Sequence, residues 1–224
     1  MSSNKVILVT GSNTGIGYDL VHLLAAITPC IFRLATRRRQ LRPAKIKKEK
    51  SLHVKFVQLD VTDSVSVTAA AAKIEQDEGY LNVLVNNAGI SEMRKLTKVS
   101  EVDLTSLRAT FETNLVGLIQ TTTAFFPFCG PLMASSEGIL HQAVPYNTSK
   151  VAVNSYTIAL AHELKDEGIK VNCVSPGFTT TKLNGFAPGG KTPEQGAAVL
   201  VEWALLDNTR KTGHFASDRG EMRW

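Results

Sequence analysis

Cysteine is scarce in this 224-residue chain: Cys30, Cys129 and Cys173 are the only three, odd in number and far apart. That excludes a disulfide framework and a CxxC metal site. Cys30 and Cys173, set in apolar strand-like runs, read as small buried hydrophobes. The five histidines show no ligand spacing, so no structural metal is expected. Long hydrophobic runs are missing as well. The most apolar early stretch, residues 20–35, is broken by His22, Pro29 and Arg33 and is too short to span a bilayer. The opening residues MSSNKVILVTGS lack the pattern of a secretory signal, which leaves a cytoplasmic location and no membrane partner as the expectation. Without repeats or low-complexity linkers, residues 1–224 are expected to form a single domain with a sizeable core.

The net charge of +5 is local. Residues 37–50 hold eight Lys or Arg against one Glu, a local +7, which leaves −2 for everything else. A single basic segment is not a basic face, and no nucleic-acid partner is expected.

What the sequence does have is alternation. Short Val/Ile-rich runs at 5–10, 30–35, 54–60, 82–87 and 169–175 alternate with helical patterns near 15–26, 64–78, 101–126, 146–166 and 193–205. Nearly continuous apolar strands suit a parallel sheet covered on both faces. The fold class is therefore α/β, a doubly wound parallel sheet. Thr62 or Asp63 could cap the helix at 64–78, and Thr192-Pro193 reads as a cap followed by proline at the first helical position. Two places break the rhythm. RRRQLRPAKIKKEKS has almost no apolar face, and between Phe126 and Tyr146 only Ile139-Leu140 offers a strand nucleus. The fifth strand is expected to be shortened or absent.

The first strand runs straight into TGSNTGIG, residues 10–17, and then a helix. Gly11 permits a tight turn, Gly15 lets backbone approach a pyrophosphate, and Gly17 allows close helix–strand packing. The helix start offers free N–H groups to phosphate. Further on, Tyr146 and Lys150 stand four apart, on one face of a helix. A phenol, with a reference pKa of about 10, needs its charged form stabilised to act as acid or base at neutral pH, and an ammonium does that.

TGSNTGIG at 10–17, NNAG at 86–89, Asn114, YNTSK at 146–150 and SPGFTTT at 175–181 occur in this order. Together they resemble the short-chain dehydrogenase/reductase family, and the ending TGHFASDRGEMRW is similar to its carbonyl-reductase-like members. The resemblance implies a Rossmann fold and reversible hydride transfer between NADPH and a ketone or aldehyde, a small-molecule carbonyl substrate. It makes Tyr146 the acid/base, Lys150 the residue that orients the ribose, and Asn114 part of a proton relay. Gly11, Asn13, Gly15, Ile16 and Gly17 would hold the cofactor's phosphates. Asp60 and Val61 would meet the adenine, and Asn87, Ala88 and Gly89 the central stretch. Tyr146, Lys150, Pro176, Gly177, Thr179 and Thr181 would lie at the nicotinamide end. The second strand ends in LATRRR with no carboxylate, and Arg37 stands where NADP-using members place an arginine, whose fork suits a phosphate dianion. Many members also pair through helices matching 101–126 and 146–166, which implies a homo-oligomer.

One catalytic residue departs from the pattern. The family's serine ends the fifth strand, whereas here the serines are Ser135 and Ser136, close before Tyr146. FFPFCGPLMA ahead of them reads as helix end and turn, and EGIL behind them as the start of the strand. Either Ser136 has been repositioned as the carbonyl polariser or the serine segment has been deleted. The order of serine and strand favours deletion; the expectation stays an NADPH-dependent reductase of impaired activity, with a catalytically weak or silent NADPH-binding descendant, or a truncated product, as the alternative.

Overall fold

The computed structural model describes residues 5–27, 30–36, 54–91, 101–128, 132–135, 143–206 and 212–224. Its centre is one eight-stranded sheet in the order β3-β2-β1-β4-β5-β6-β7-β8. The strands are β1 (Lys5–Thr10), β2 (Cys30–Thr36), β3 (Val54–Gln58), β4 (Val83–Asn86), β5 (Leu132–Ser135), β6 (Val171–Ser175), β7 (Phe215–Ser217) and β8 (Gly220–Met222). All pairings are parallel except that of β7 with β8. The helices are α1 (Gly15–Ile27), α2 (Ser64–Glu78), α3 (Leu104–Phe111), α4 (Gly117–Phe125), α5 (Val144–Glu163) and α6 (Pro193–Ala204). This is the doubly wound Rossmann arrangement that the alternation predicts.

The continuous apolar run of β1 explains why both faces are covered. Val6 and Leu8 enter one core with α2, α4 and α5, while Ile7 and Val9 enter the other with α1 and α6. All four are fully buried, as the two-residue period of a strand requires. Each such burial contributes about 1.5–3 kcal/mol, so β1 anchors both layers.

The predicted caps form. Asp63 accepts a hydrogen bond from the Val65 amide at the start of α2, and Thr192 and Gln195 make a reciprocal capping box on α6. No helix among the described residues is long and apolar enough to cross a membrane.

Two expectations need correcting. The helix expected over 101–126 is interrupted by a π-helical turn, Glu112–Val116, between α3 and α4. The fifth strand is LMAS, read from sequence as helix end and turn. Leu132–Ser135 pairs with β4 on one side and β6 on the other, so the strand is present and lies before the serines' end of the segment. Leu132, Met133 and Ala134 are weak β-formers behind a Gly-Pro pair, and the flanking strands on both sides override that local preference. EGIL (137–140) lies outside the described residues.

Candidate active site

The seven parallel strands end on one edge of the sheet, among them β1 at Thr10, β2 at Thr36, β4 at Asn86, β5 at Ser135 and β6 at Ser175. The edge outside the carboxyl ends of parallel strands is where such sheets bind ligands. The segments that continue from these ends are the glycine turn, Arg37, NNAG, Ser136 and the SPG loop. Arg37 and Ser136, and the basic run 38–50, lie outside the described residues. In sequence, Arg37 is the residue after Thr36 of β2 and Ser136 the residue after Ser135 of β5.

The glycine turn and the NNAG loop are built as one unit. Gly11 has φ 63°, and a Cβ there would stand 2.8 Å from the Cα of Ala88. Thr10 is the joint. Its Oγ1 accepts from the amides of Asn87 and Ala88, both at 3.0 Å, and donates to the Val85 carbonyl. Asn87 Nδ2 donates back to the Thr10 carbonyl at 2.9 Å. A Cβ on Gly17 would fall 2.4 Å from Asn87 Nδ2 and 3.1 Å from the Gly11 carbonyl oxygen, so its missing side chain lets α1 begin close against the segments that leave β4 and β1. Gly15 faces Thr181, 3.6 Å from an added Cβ to its methyl group. No acidic residue occupies the first turn of α1. The positive end of the helix therefore has no carboxylate from its own first turn competing with an anionic ligand.

Asp60 and Val61 follow β3. The Asp60 carboxylate accepts from both the amide and the hydroxyl of Thr62, while Gln120 on α4 donates to the Val61 carbonyl. Gly117 lets α4 come this close, since a Cβ there would meet the Val61 carbonyl oxygen at 2.8 Å.

Tyr146 and Lys150 share a face of α5 as predicted, with the Lys150 Nζ 5.4 Å from the centre of the Tyr146 ring. Both are buried, at 3% and 9% exposure. Asn114, also buried, sits in the π-helical turn, a feature common at functional sites. Its Oδ1 accepts from the Ile90 amide at 2.8 Å, and its Nδ2 donates to the Ile90 carbonyl and to Ser149 Oγ. Ser149 in turn donates to the Tyr146 carbonyl at 2.7 Å. Thr10 and Ser149 were not singled out from sequence, although both stand inside the motifs quoted there.

Beyond β6, Pro176 and Thr179 are both buried. Thr179 Oγ1 donates to the Gly177 carbonyl, and Thr181 caps the short 3-10 turn Lys182–Asn184. Asn13 and Ile16 lie in the glycine turn and at the start of α1.

The short chain dehydrogenase family model matches residues 5–188. The chain belongs to that family. Among curated relatives of this short-chain dehydrogenase, nodulation protein G of Azospirillum brasilense is 31% identical, with 81% of this chain and 77% of the relative covered. An oxidoreductase of Staphylococcus saprophyticus is 30% identical, with 90% of each covered. In solved structures, the NADPH-bound carbonyl reductase from chicken fatty liver has a TM-score of 0.87 at 24% identity, covering 99% of this chain and 94% of that one. ElxO with NADP bound has a TM-score of 0.81 at 27% identity, with 96% of each chain covered.

Proposed function

We propose that this short-chain oxidoreductase is a single dinucleotide-binding domain that uses NADPH to reduce a ketone or aldehyde to an alcohol, reversibly. The observation that carries the reading is the buried Tyr146–Lys150 face of α5, tied through Ser149 to Asn114 at the end of a glycine-turn edge. NADPH, when bound, supplies the hydride. The chain's own residues do the rest. Tyr146 donates its phenolic proton to the oxygen of the reduced carbonyl. The Lys150 ammonium favours the phenolate that results and holds the ribose. Asn114, fixed by Ile90, supports the return of the proton.

The glycine turn, residues 10–17, takes the phosphates, and Asp60, Val61, Asn87, Ala88 and Gly89 flank the adenosine and central parts. Pro176, Gly177, Thr179 and Thr181 face the nicotinamide end. Arg37, next after the last residue of β2, reads the 2′-phosphate. Ser136, next after the last residue of β5, polarises the carbonyl. The position of β5 supports that role for Ser136, because the objection to it was a strand expected after the serines instead of before them. Exposed Leu104, Val116, Val151 and Ile158 on the α3–α5 layer support pairing of two copies.

The test is NADPH oxidation against a panel of ketones and aldehydes, for the wild type and Tyr146→Phe. Turnover by the wild type is expected to fall about 10²- to 10⁴-fold in the variant, with NADPH binding retained. A wild type that binds NADPH without turning over any carbonyl would instead establish the silent-binder reading.

A further inference from the structure

Lys191, one residue before the cap of α6, grips the loop after β6 at three alternate positions. Its Nζ donates to the Pro176 carbonyl at 3.0 Å, and its amide donates to the Phe178 carbonyl at 3.0 Å. Its own carbonyl accepts from the Thr180 amide at 2.9 Å. The same ammonium is ion-paired with Asp218, in the turn between β7 and β8. A Cβ on Gly177 would lie 3.0 Å from the Lys191 Nζ and 3.3 Å from each Asp218 carboxylate oxygen, so a glycine there leaves the pair its space. Between the gripped residues, Thr179 is pressed inward. Its carbonyl accepts from Asn184 Nδ2, and Gly196 of α6 leaves room for its hydroxyl.

We propose that Lys191 and Asp218 form a clamp that fixes loop 176–181 in its cofactor-binding shape, with Lys191 as a positioning residue. This rests on the reading of that loop as the nicotinamide end of the site. A solvent-facing ion pair alone contributes little. Here the ammonium also holds a backbone carbonyl, so the pair joins the C-terminal hairpin, the approach to α6 and the loop at one point. The lysine hydrogen bond, as the first cause, holds the Asp218 carboxyl below its ordinary range, with Lys191 and Arg219 charges adding to it. Ordering the loop before binding lowers what the cofactor must supply to order it.

The experiment measures NADPH binding, steady-state kinetics and thermal midpoint for the wild type, Lys191→Met, Lys191→Arg, Asp218→Asn and the Met/Asn double variant. Kd and KM for NADPH are expected to rise about five- to tenfold in Lys191→Met and Asp218→Asn, with kcat at saturating NADPH within about twofold and the thermal midpoint nearly unchanged. Lys191→Arg should retain most of the affinity, and the double variant should be no worse than Lys191→Met. Unchanged Kd in both single variants of an NADPH-binding wild type overturns the clamp alone. A rise in Kd that only tracks a lower thermal midpoint, with Lys191→Arg no better than Lys191→Met, overturns it too. A folded wild type that binds no NADPH overturns both the clamp and the functional reading beneath it.

Discussion

Asp19 and Asp218 show how the surroundings of one side-chain type set opposite signs. Burial pushes the Asp19 carboxyl up, with His22 opposing and Glu194 adding to the rise. A carboxylate whose folded value is raised costs stability above that value, and the cost vanishes as pH falls below the unfolded value of about 3.9. Asp19→Asn is therefore expected to stabilise the protein at pH 7 by about a few tenths of a kcal/mol, since the partly exposed site is screened. The gain should vanish below about pH 4, as followed by denaturant midpoints across pH. Asp218 runs the other way. Its depressed value adds stability above the unfolded value, and that stability is lost as pH falls through the folded one. Asp218→Asn should cost a little at pH 7 and nothing once the wild-type carboxyl is protonated. At this scale the chemistry was legible where it lies in one short motif, as in YNTSK. It was not legible where partners stand 77 residues apart, as Thr10 and Asn87 do, or 27 apart, as Lys191 and Asp218 do.

Among the elements, α4 depends on a contact that helix propensity alone would misjudge. Alanine at Gly117 would gain about 1 kcal/mol as a helix former. Its Cβ, however, would meet the Val61 carbonyl oxygen at 2.8 Å and the Val61 Cγ2 at 3.0 Å, and backbone cannot swing aside as a side-chain end can. Gly117→Ala is expected to destabilise by about 1–2 kcal/mol net and to weaken NADPH binding by displacing the Asp60–Val61 loop. A higher thermal midpoint in the variant would contradict that. Thr192→Ala removes the capping box of α6 and should cost about 1 kcal/mol, read from chemical denaturation. Elements with strong local signals were legible: β1 and α2 begin and end where the periodicity puts them. Those fixed by their neighbours were not. LMAS pairs because β4 and β6 flank it, ETNLV reads as ordinary helix although it forms a π turn, and the three-residue strands FAS and GEM carry no alternation to detect.

For the whole molecule, the sheet's carboxyl edge brings the glycine turn, the NNAG loop and the loop after β6 together, and the proposed pairing of two copies rests on the outer faces of α3–α5. Val151 and Ile158, seven apart on α5, are 60% and 43% exposed. Val151→Asp combined with Ile158→Lys is expected to convert a dimer to monomer in light scattering, and a wild type already monomeric would contradict the pairing. The central claim is a site for NADPH, and its most direct test is titration of the folded protein with NADPH and, alongside, NADH. Saturable NADPH binding with NADH at least about tenfold weaker, and that preference lost in Arg37→Ala, is the expected result; tenfold is about 1.4 kcal/mol, within what a charge-assisted phosphate contact supplies. A folded protein that binds neither cofactor would contradict the account.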